Sequence, residues 1–184
     1  MPVSIGSGPE HNFDQPLELL SDCHRRIERF LAVLSRIAGT ARGRALNPEE
    51  GRSLATALRY FREAAPRHTA DEEESLFPRL RDCGGEEIAT ALERVTALEA
   101  DHARANQLHA ELDGIFSEWQ ERGGLAPGKE DRLRLDLAEL SALYSEHIRV
   151  EDQVVFPFAG RVLDKESRLA IGREMAERRG VYIR

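Results

Sequence analysis

The sequence predicts an all-α protein, an up-down-up-down four-helix bundle with a short fifth helix at its C-terminal end. Two observations carry this prediction: apolar residues recur at helical spacing along most of the chain, and strand-like alternation is nearly absent. Long amphipathic helices joined by short loops bury their apolar faces against one another. With 184 residues, 41% of them apolar, the chain has the length of one domain. We expect a flexible tail over residues 1–13 and a single domain over residues 14–184.

The first two helices are bounded by capping residues and prolines. The first is expected to begin at Asp14 as its cap, with Pro16 in its first turn, and to stop at Gly39. The second is expected over residues 47–81, where an Asn-Pro-Glu-Glu sequence provides a cap, a proline and acids at the positive end of the helix dipole. Pro66 lies inside this stretch and must kink or restart the helix.

The remaining helices end at glycines or begin at a capping acid. The third is expected over residues 86–122, closed by two glycines, and the fourth over about residues 129–158. Asp164 is expected to cap the short fifth helix, and Gly180 to stop it.

Composition and charge exclude several classes of protein. The longest apolar runs are far shorter than the roughly 20 residues that a bilayer-spanning helix needs, so no membrane association is expected. A net charge of −7 with interspersed signs disfavours nucleic-acid binding. Cys23 and Cys83 lack the spacing of a redox pair or a zinc site, so both are interpreted as free thiols. The N-terminal residues show no pattern of a secretory signal, which favours the cytoplasm.

A repeated pattern of potential metal ligands is the most informative feature of the chain. The segment HTADEEESLFP at residues 68–78 recurs as HIRVEDQVVFP at residues 147–157, an offset of 79. Each copy places a His and a Glu at positions i and i+4, which are adjacent on one helix face. The preceding helices also correspond, because His24 and His102 each lie four residues after a Leu and differ by 78. The chain therefore resembles one helical hairpin used twice.

The helix lengths predict that these residues meet. At a rise of about 1.5 Å per residue, the histidines of the second, third and fourth helices return to the same level of the bundle, and that of the first agrees less closely. A single His–Glu pair at i and i+4 is more often a solvated surface pair, and a metal-free bundle with a duplicated hairpin remains the alternative interpretation. The repetition of the pattern favours a metal site, with the following predicted ligands: His24, His68, Glu72, His102, His147 and Glu151.

Four imidazoles and two carboxylates suit iron, manganese or zinc. Six ligands exceed the four of a closed structural zinc site, and the duplication suggests two metals, each held by two histidines and bridged by Glu72 and Glu151. Such ligands leave an open coordination position, which implies binding of a small diatomic molecule or a peroxide.

At about residues 14–157 the sequence resembles the hemerythrin-like, or HHE cation-binding, family. Both HxxxE motifs followed by Phe-Pro are present, and His24 and His102 stand where the family places ligands on its first and third helices. The resemblance implies a non-haem di-iron centre held by the six residues named above, with the two glutamates bridging.

Within the family, the oxygen carriers place a second His one turn before the third-helix ligand, where this chain has Leu98. The remaining ligand set is more similar to members that repair iron–sulfur clusters or respond to nitric oxide, although those carry an N-terminal cysteine-bearing domain that residues 1–13 do not supply. The functions left open are binding, sensing or detoxification of oxygen, nitric oxide or hydrogen peroxide, a non-catalytic iron-sensing or interaction module, and a repair-like stress protein. No partner protein and no assignment as an enzyme follow from the sequence.

Residues near the predicted ligands have expected supporting roles. Tyr144 lies one turn before His147 and either donates a hydrogen bond to a ligand bound at the metals or packs in the core. Asp101 and Glu99 are candidates to orient ligand imidazoles.

The other histidines and the nearby cysteine are expected outside the ligand set. His109 is seven residues from His102, about 10.5 Å along the helix, and is expected at the surface or boundary. Cys23 points roughly 100° away from its neighbour His24 on the helix. His11 falls in the expected tail.

Overall fold

The structure is a computed structural model that describes residues 11–83 and 86–182. All regular secondary structure in these residues is helical, as predicted. The chain forms eight α-helices in these ranges and two π-helical turns, Asp71–Leu76 and Glu151–Val155. The α-helices are α1 (Pro16–Ala41), α2 (Pro48–Glu63), α3 (Ala65–Ala70), α4 (Phe77–Asp82), α5 (Glu86–Arg122), α6 (Pro127–Val150), α7 (Phe156–Val162) and α8 (Lys165–Arg178). None of the helices described is both long and apolar enough to cross a membrane.

The second predicted helix is interrupted twice. It restarts after Ala64, because Pro66 has no N–H to donate and is accommodated in the first turn of α3. It then passes through the first π turn into α4. In the π turn the N–H of Phe77 donates to the carbonyl of Glu72, five residues earlier, so one extra residue is inserted.

The fourth predicted helix contains the matching π turn. The N–H of Phe156 donates to the carbonyl of Glu151 in the same manner, and the helix then continues as α7. Its end at Val162 lies beyond the predicted end at residue 158, because Ala159 is still packed in the core. The two π turns fall at corresponding places of the repeat.

Two predicted ends of α1 are wrong. The N-cap residue is Gln15, whose side chain makes no capping bond, and Asp14 lies one residue further out, where its backbone N–H donates to the side chain of Asn12. At the other end the helix passes through Gly39 and stops where Arg42 adopts a left-handed φ of 45°. A glycine with open space around it, as at Gly39, does not by itself stop a helix.

Most of the other predicted boundaries hold, although α6 begins at Pro127, two residues before its expected start. Asn47 caps α2 with a reciprocal bond to Glu50, and Asp164 accepts a bond of 2.8 Å from the N–H of Ser167 at the start of α8. Gly180 has a φ of 66° just after α8, as a helix stop requires. α5 begins and ends where predicted.

The apolar core is divided into two clusters with a polar layer between them. On α1, Leu20 belongs to one cluster and Ile27 to the other, and on α5 the same holds for Leu98 and Ala105. α1 packs on α2 and α6, and α5 packs on α6 and α2. His24 and His102 therefore lie between the two clusters, at the level where the repeat predicts the metal site.

The predicted tail is described only from residue 11. His11 contacts the carboxylate of Asp22 through its backbone N–H at 2.9 Å and through Nδ1 at 3.2 Å. Phe13 packs against the cluster that contains Leu20. The part of the tail over residues 1–10 lies outside the described residues.

Candidate metal centre

The structure brings all six predicted site residues into the buried layer, each with 5% exposure or less. Their side chains form two overlapping groups whose nitrogen and oxygen atoms lie within 4.8 Å of one another. The first group is His24, His68, Glu72 and Glu151; the second group is Glu72, His102, His147 and Glu151. Both groups share the same two glutamates.

In the first group the imidazole Nε2 atoms face the carboxylates. Nε2 of His24 lies 3.0 Å from Oε2 of Glu151 and 3.8 Å from Oε1 of Glu72. Nε2 of His68 lies 3.3 Å from the same Oε1 of Glu72. Each of the two carboxylates therefore has an oxygen near Nε2 of His24.

The second group has the same arrangement. Nε2 of His102 lies 3.3 Å from Oε2 of Glu72, and Nε2 of His147 lies 3.1 Å from Oε2 of Glu151. The two Nε2 atoms are themselves 3.1 Å apart. Glu72 thus directs Oε1 to the first group and Oε2 to the second.

The donor atoms of this cluster fit a bound cation. Within the described part of the chain, both oxygens of Glu72 and of Glu151 are buried without a hydrogen bond, and so is Nε2 of His24. Burying an unpaired carboxylate costs several kcal/mol in real proteins, so two of them facing imidazoles require compensation. Imidazole nitrogens and carboxylate oxygens are the ligands that iron, manganese and zinc accept.

Electrostatics keep the carboxylates ionised. Burial raises the pKa of Glu72, but the neighbouring His68, His102 and His24 outweigh it and hold the pKa well below its usual value. Burial lowers the pKa of His68 to about 4, so its imidazole is neutral at physiological pH. At His102 burial is outweighed by Glu72, and the pKa rises to about 9. A cation that binds at Nε2 of His102 must therefore displace a proton.

Two acids that orient the histidines were missed in the sequence. Oε1 of Glu73 lies 2.8 Å from Nδ1 of His102, and Oδ1 of Asp152 lies 3.1 Å from Nδ1 of His24. Ser21 donates to the same Asp152 oxygen at 2.6 Å. Such contacts fix the ring orientation, so that Nε2 faces the two buried glutamates. The signal was present, because each acid directly follows the glutamate of its repeat.

Of the two acids that were predicted, only one reaches an imidazole. Oδ2 of Asp101 lies 3.4 Å from Nδ1 of His147. The prediction for Glu99 is wrong, because its carboxylate pairs with Arg81 at 2.6 Å. Nδ1 of His68 is buried and has no hydrogen bond to any residue in the ranges 11–83 and 86–182.

Tyr144 and His109 contact each other beside the second group. The Tyr144 hydroxyl lies 3.0 Å from Nε2 of His109, and its ring stands edge-on to that of His147 with centroids 6.3 Å apart. His109 is half-buried, as expected, stacks on Phe61 and lines a cleft of about 260 Å³ beside Pro66. The role expected for Tyr144 toward a bound ligand stays a prediction, and in this structure its hydroxyl faces His109.

The two cysteines are free thiols, as predicted. Cys23 is buried, and a guanidinium nitrogen of Arg26 lies 3.2 Å from its sulfur. It belongs to neither group of potential ligands.

Comparison with known proteins agrees with the site. The chain is similar to an uncharacterized protein of Haemophilus influenzae, with 25% identity over 169 residues that cover 92% of each chain. The model of the hemerythrin HHE cation-binding domain matches residues 15–159, which include both π turns and all six clustered residues. The chain therefore belongs to the hemerythrin HHE cation-binding domain family, and the family match together with the buried histidine–glutamate cluster supports metal binding by this protein.

Proposed function

We propose that this protein holds a pair of iron ions and uses them to bind, sense or detoxify a small ligand, namely oxygen, nitric oxide or hydrogen peroxide. The observation that carries the proposal is the sharing of Glu72 and Glu151 by two groups that each add two histidines. This is the arrangement that a pair of metals bridged by carboxylates requires.

In this proposal the first group binds one iron and the second group binds the other, with Glu72 and Glu151 as bridges. A bound iron pair supplies redox and Lewis-acid chemistry. The chain itself orients the imidazoles through Glu73, Asp152 and Asp101. The two apolar clusters above and below the layer exclude water from it.

Each group offers four protein ligands, fewer than an octahedral metal takes, which supports an open position for a small ligand. Leu98 is 2% exposed and belongs to the apolar core one turn before His102. A further imidazole is therefore absent there, which favours sensing or detoxification over reversible oxygen carriage. Manganese and zinc are the competing metals.

We base the proposed domain organisation and location of the protein on the sequence and on the packing of the helices. Residues 14–184 form one domain whose long helices run up-down-up-down, which is supported by the packing of α1 on α2 and of α5 on α6. The net charge of −7 supports a protein that does not bind nucleic acid, and we propose that it acts in the cytoplasm.

A second candidate is a non-catalytic module that reports metal occupancy to a protein partner. One observation favours it: Arg178, at the end of α8 and 20% exposed, contacts Asp71, beside Glu72. A change at the metals can therefore reach the surface of α8. A repair-like stress protein, the third alternative, would use the same metal centre on a different target.

The test is metal analysis with optical spectra of the reduced, iron-loaded protein before and after exposure to oxygen, nitric oxide and peroxide. We expect two irons per chain, and a spectral change with at least one of the three ligands. A His68→Ala/His147→Ala variant should lose the metal, whereas His11→Ala, outside both groups, should keep it. Wild-type protein that takes up no stoichiometric metal contradicts the proposal, and stoichiometric iron without any ligand response favours the non-catalytic module.

A further inference from the structure

The C-terminal helix α8 lies beyond residues 15–159, which match the family model, yet it packs against α1 and the first π turn. Ile171 and Met175 of α8 are fully buried in the apolar cluster that contains Leu20. Gly172 lies so close to the carbonyl oxygen of Phe13 that any side chain there would overlap it. α8 is therefore seated firmly on the end of the bundle next to the metal-binding layer.

Residues at the end of α8 bind the side chain of Asp71 in the first π turn, and Asp71 has no exposed surface. Arg179 places Nη2 at 2.6 Å from one Asp71 oxygen and Nη1 at 3.1 Å from the other, and Nη1 of Arg178 adds a bond of 3.0 Å. Arg178 also donates to the hydroxyl of Ser75 at 2.8 Å and to the carboxylate of Glu74 at 3.1 Å. Charge-assisted, bidentate contacts of this kind are the strongest hydrogen bonds in proteins.

A second ion pair connects α8 to the region of the first π turn, one helical turn earlier on α8. Glu174 receives two bonds from the guanidinium of Arg79, at 2.6 and 3.0 Å. The same Arg79 donates to the backbone carbonyl of Ser75, inside the π turn, at 2.8 Å. Side chains of α8 thus hold the π turn at its first residue and near its last.

Among the described residues, the second π turn has no hydrogen bond or ion pair with α8, and its Asp152 contacts Ser21 and His24 of α1 instead. With the offset of 79, the positions of Asp71 and Ser75 correspond to Val150 and Val154, and Val154 is 43% exposed. The hydrogen bonds from α8 are therefore specific to the π turn that carries Glu72.

Glu72 directly follows Asp71, and neither of its oxygens has a hydrogen bond from the residues that the structure describes. Its position is therefore set by the backbone of the π turn, a conformation that is rare and requires local support. We propose that Arg178 and Arg179 are positioning residues that hold Asp71, and through it the bridging carboxylate of Glu72, in the geometry that binds metal. This inference rests on the proposed metal-binding role of Glu72.

The test uses the full chain loaded with cobalt(II), whose visible absorption reports ligand geometry. Arg179→Met removes the bidentate contact and keeps the apolar stem, and Arg179→Lys keeps the charge without the fork. Arg62→Met is the matched control, because Arg62 makes an equally bidentate pair with Asp113 away from the site. We expect a chelator to remove cobalt about 10- to 100-fold faster from Arg179→Met, with altered absorption bands, and an intermediate rate from Arg179→Lys. Arg62→Met should behave as the wild type does.

The outcomes separate this inference from the proposed function. A wild-type chain that binds no stoichiometric cobalt refutes the metal-site proposal itself. A wild-type chain that binds cobalt, together with an Arg179→Met variant that shows the same release rate and the same spectrum, overturns the positioning role, even if the variant melts at a lower temperature. If Arg179→Met does not fold, Arg179→Lys and Glu174→Gln decide by the same two measurements.

Discussion

The two groups of the candidate metal centre contain the same types of side chain but are supported differently. In the second group, both imidazoles have a carboxylate at Nδ1: Glu73 for His102 and Asp101 for His147. In the first group His24 has such a partner, whereas Nδ1 of His68 is buried and has none among the described residues.

The repeat explains the difference. With the offset of 78 that relates His24 to His102, the position of Asp101 corresponds to Cys23. A buried thiol with a pKa raised by burial is not a carboxylate and cannot take its role. Carboxylate partners raise the basicity of ligand imidazoles, so we expect the second group to hold its metal more tightly. The comparison teaches that a symmetric set of ligands can form an asymmetric metal site.

The largest effect is expected from Glu72→Ala, because this carboxylate belongs to both groups. Loss of the bridge should remove both metals and abolish the stabilisation that metal gives the fold, about 4 kcal/mol when the free metal is 1,000 times its Kd. Metal analysis and thermal unfolding with and without iron measure this. Glu139→Gln, which removes a surface pair with Arg104, is the control. Retention of two metals by Glu72→Ala would exclude bridging by Glu72.

A smaller effect that distinguishes the groups is expected from His68→Ala and His147→Ala. Each removes a ligand from one group only, so each variant should keep one of the two metals. Because the second group is better supported, His68→Ala should hold its remaining metal more tightly than His147→Ala does. Competition with a chelator measures the difference, and equal affinities in the two variants would refute the asymmetry.

Asp101→Asn should make the metal affinities of the two groups more similar. It removes the carboxylate at Nδ1 of His147, so the affinity of the second group should fall about 10-fold while the first group is unchanged. The expected signature is chelator release that changes from two phases in the wild type to nearly one in the variant. Glu99→Gln serves as control, since Glu99 contacts Arg81 instead of an imidazole. Two unchanged phases in Asp101→Asn would show that the carboxylate does not support its group.

The smallest effect is expected from Tyr144→Phe, which tests whether the neighbourhood of the second group extends to His109. Loss of the hydrogen bond at 3.0 Å should cost about 1 kcal/mol of unfolding free energy, with unchanged metal content. Denaturant unfolding measures the first and metal analysis the second. Metal loss in Tyr144→Phe would show that the tyrosine also holds His147 in place.

The sequence predicted the features that depend on local periodicity. The all-helical class, the restart at Pro66 and the convergence of six side chains on one layer follow from helical spacing and from the repeat. The family resemblance is confirmed over nearly the predicted range. The assignment of the six residues as metal ligands stays a prediction that the variants above test.

Other features depend on tertiary packing and carried no such signal. A π turn has no sequence signature, because the extra residue after Glu72 or Glu151 is stabilised by what packs around it. Arg178 and Arg179 read as ordinary charged residues near the end of a helix, although both contact the buried Asp71. α1 does not end at Gly39 as expected, because the low helix propensity of glycine is outweighed by the packing of Ala41 in the core.

The contacts that orient the histidines run between the two hairpins, and this has a consequence for a fragment that contains only one of them. Glu73, in the first hairpin, holds a histidine of the second hairpin, and Asp152, in the second hairpin, holds His24 of the first. A fragment that contains only one hairpin carries two histidines and one glutamate, but its first histidine lacks the acid that orients it. Such a fragment can complete the pattern only by pairing with a second copy in two-fold symmetry, so the smallest functional unit of this architecture is two hairpins, joined or separate.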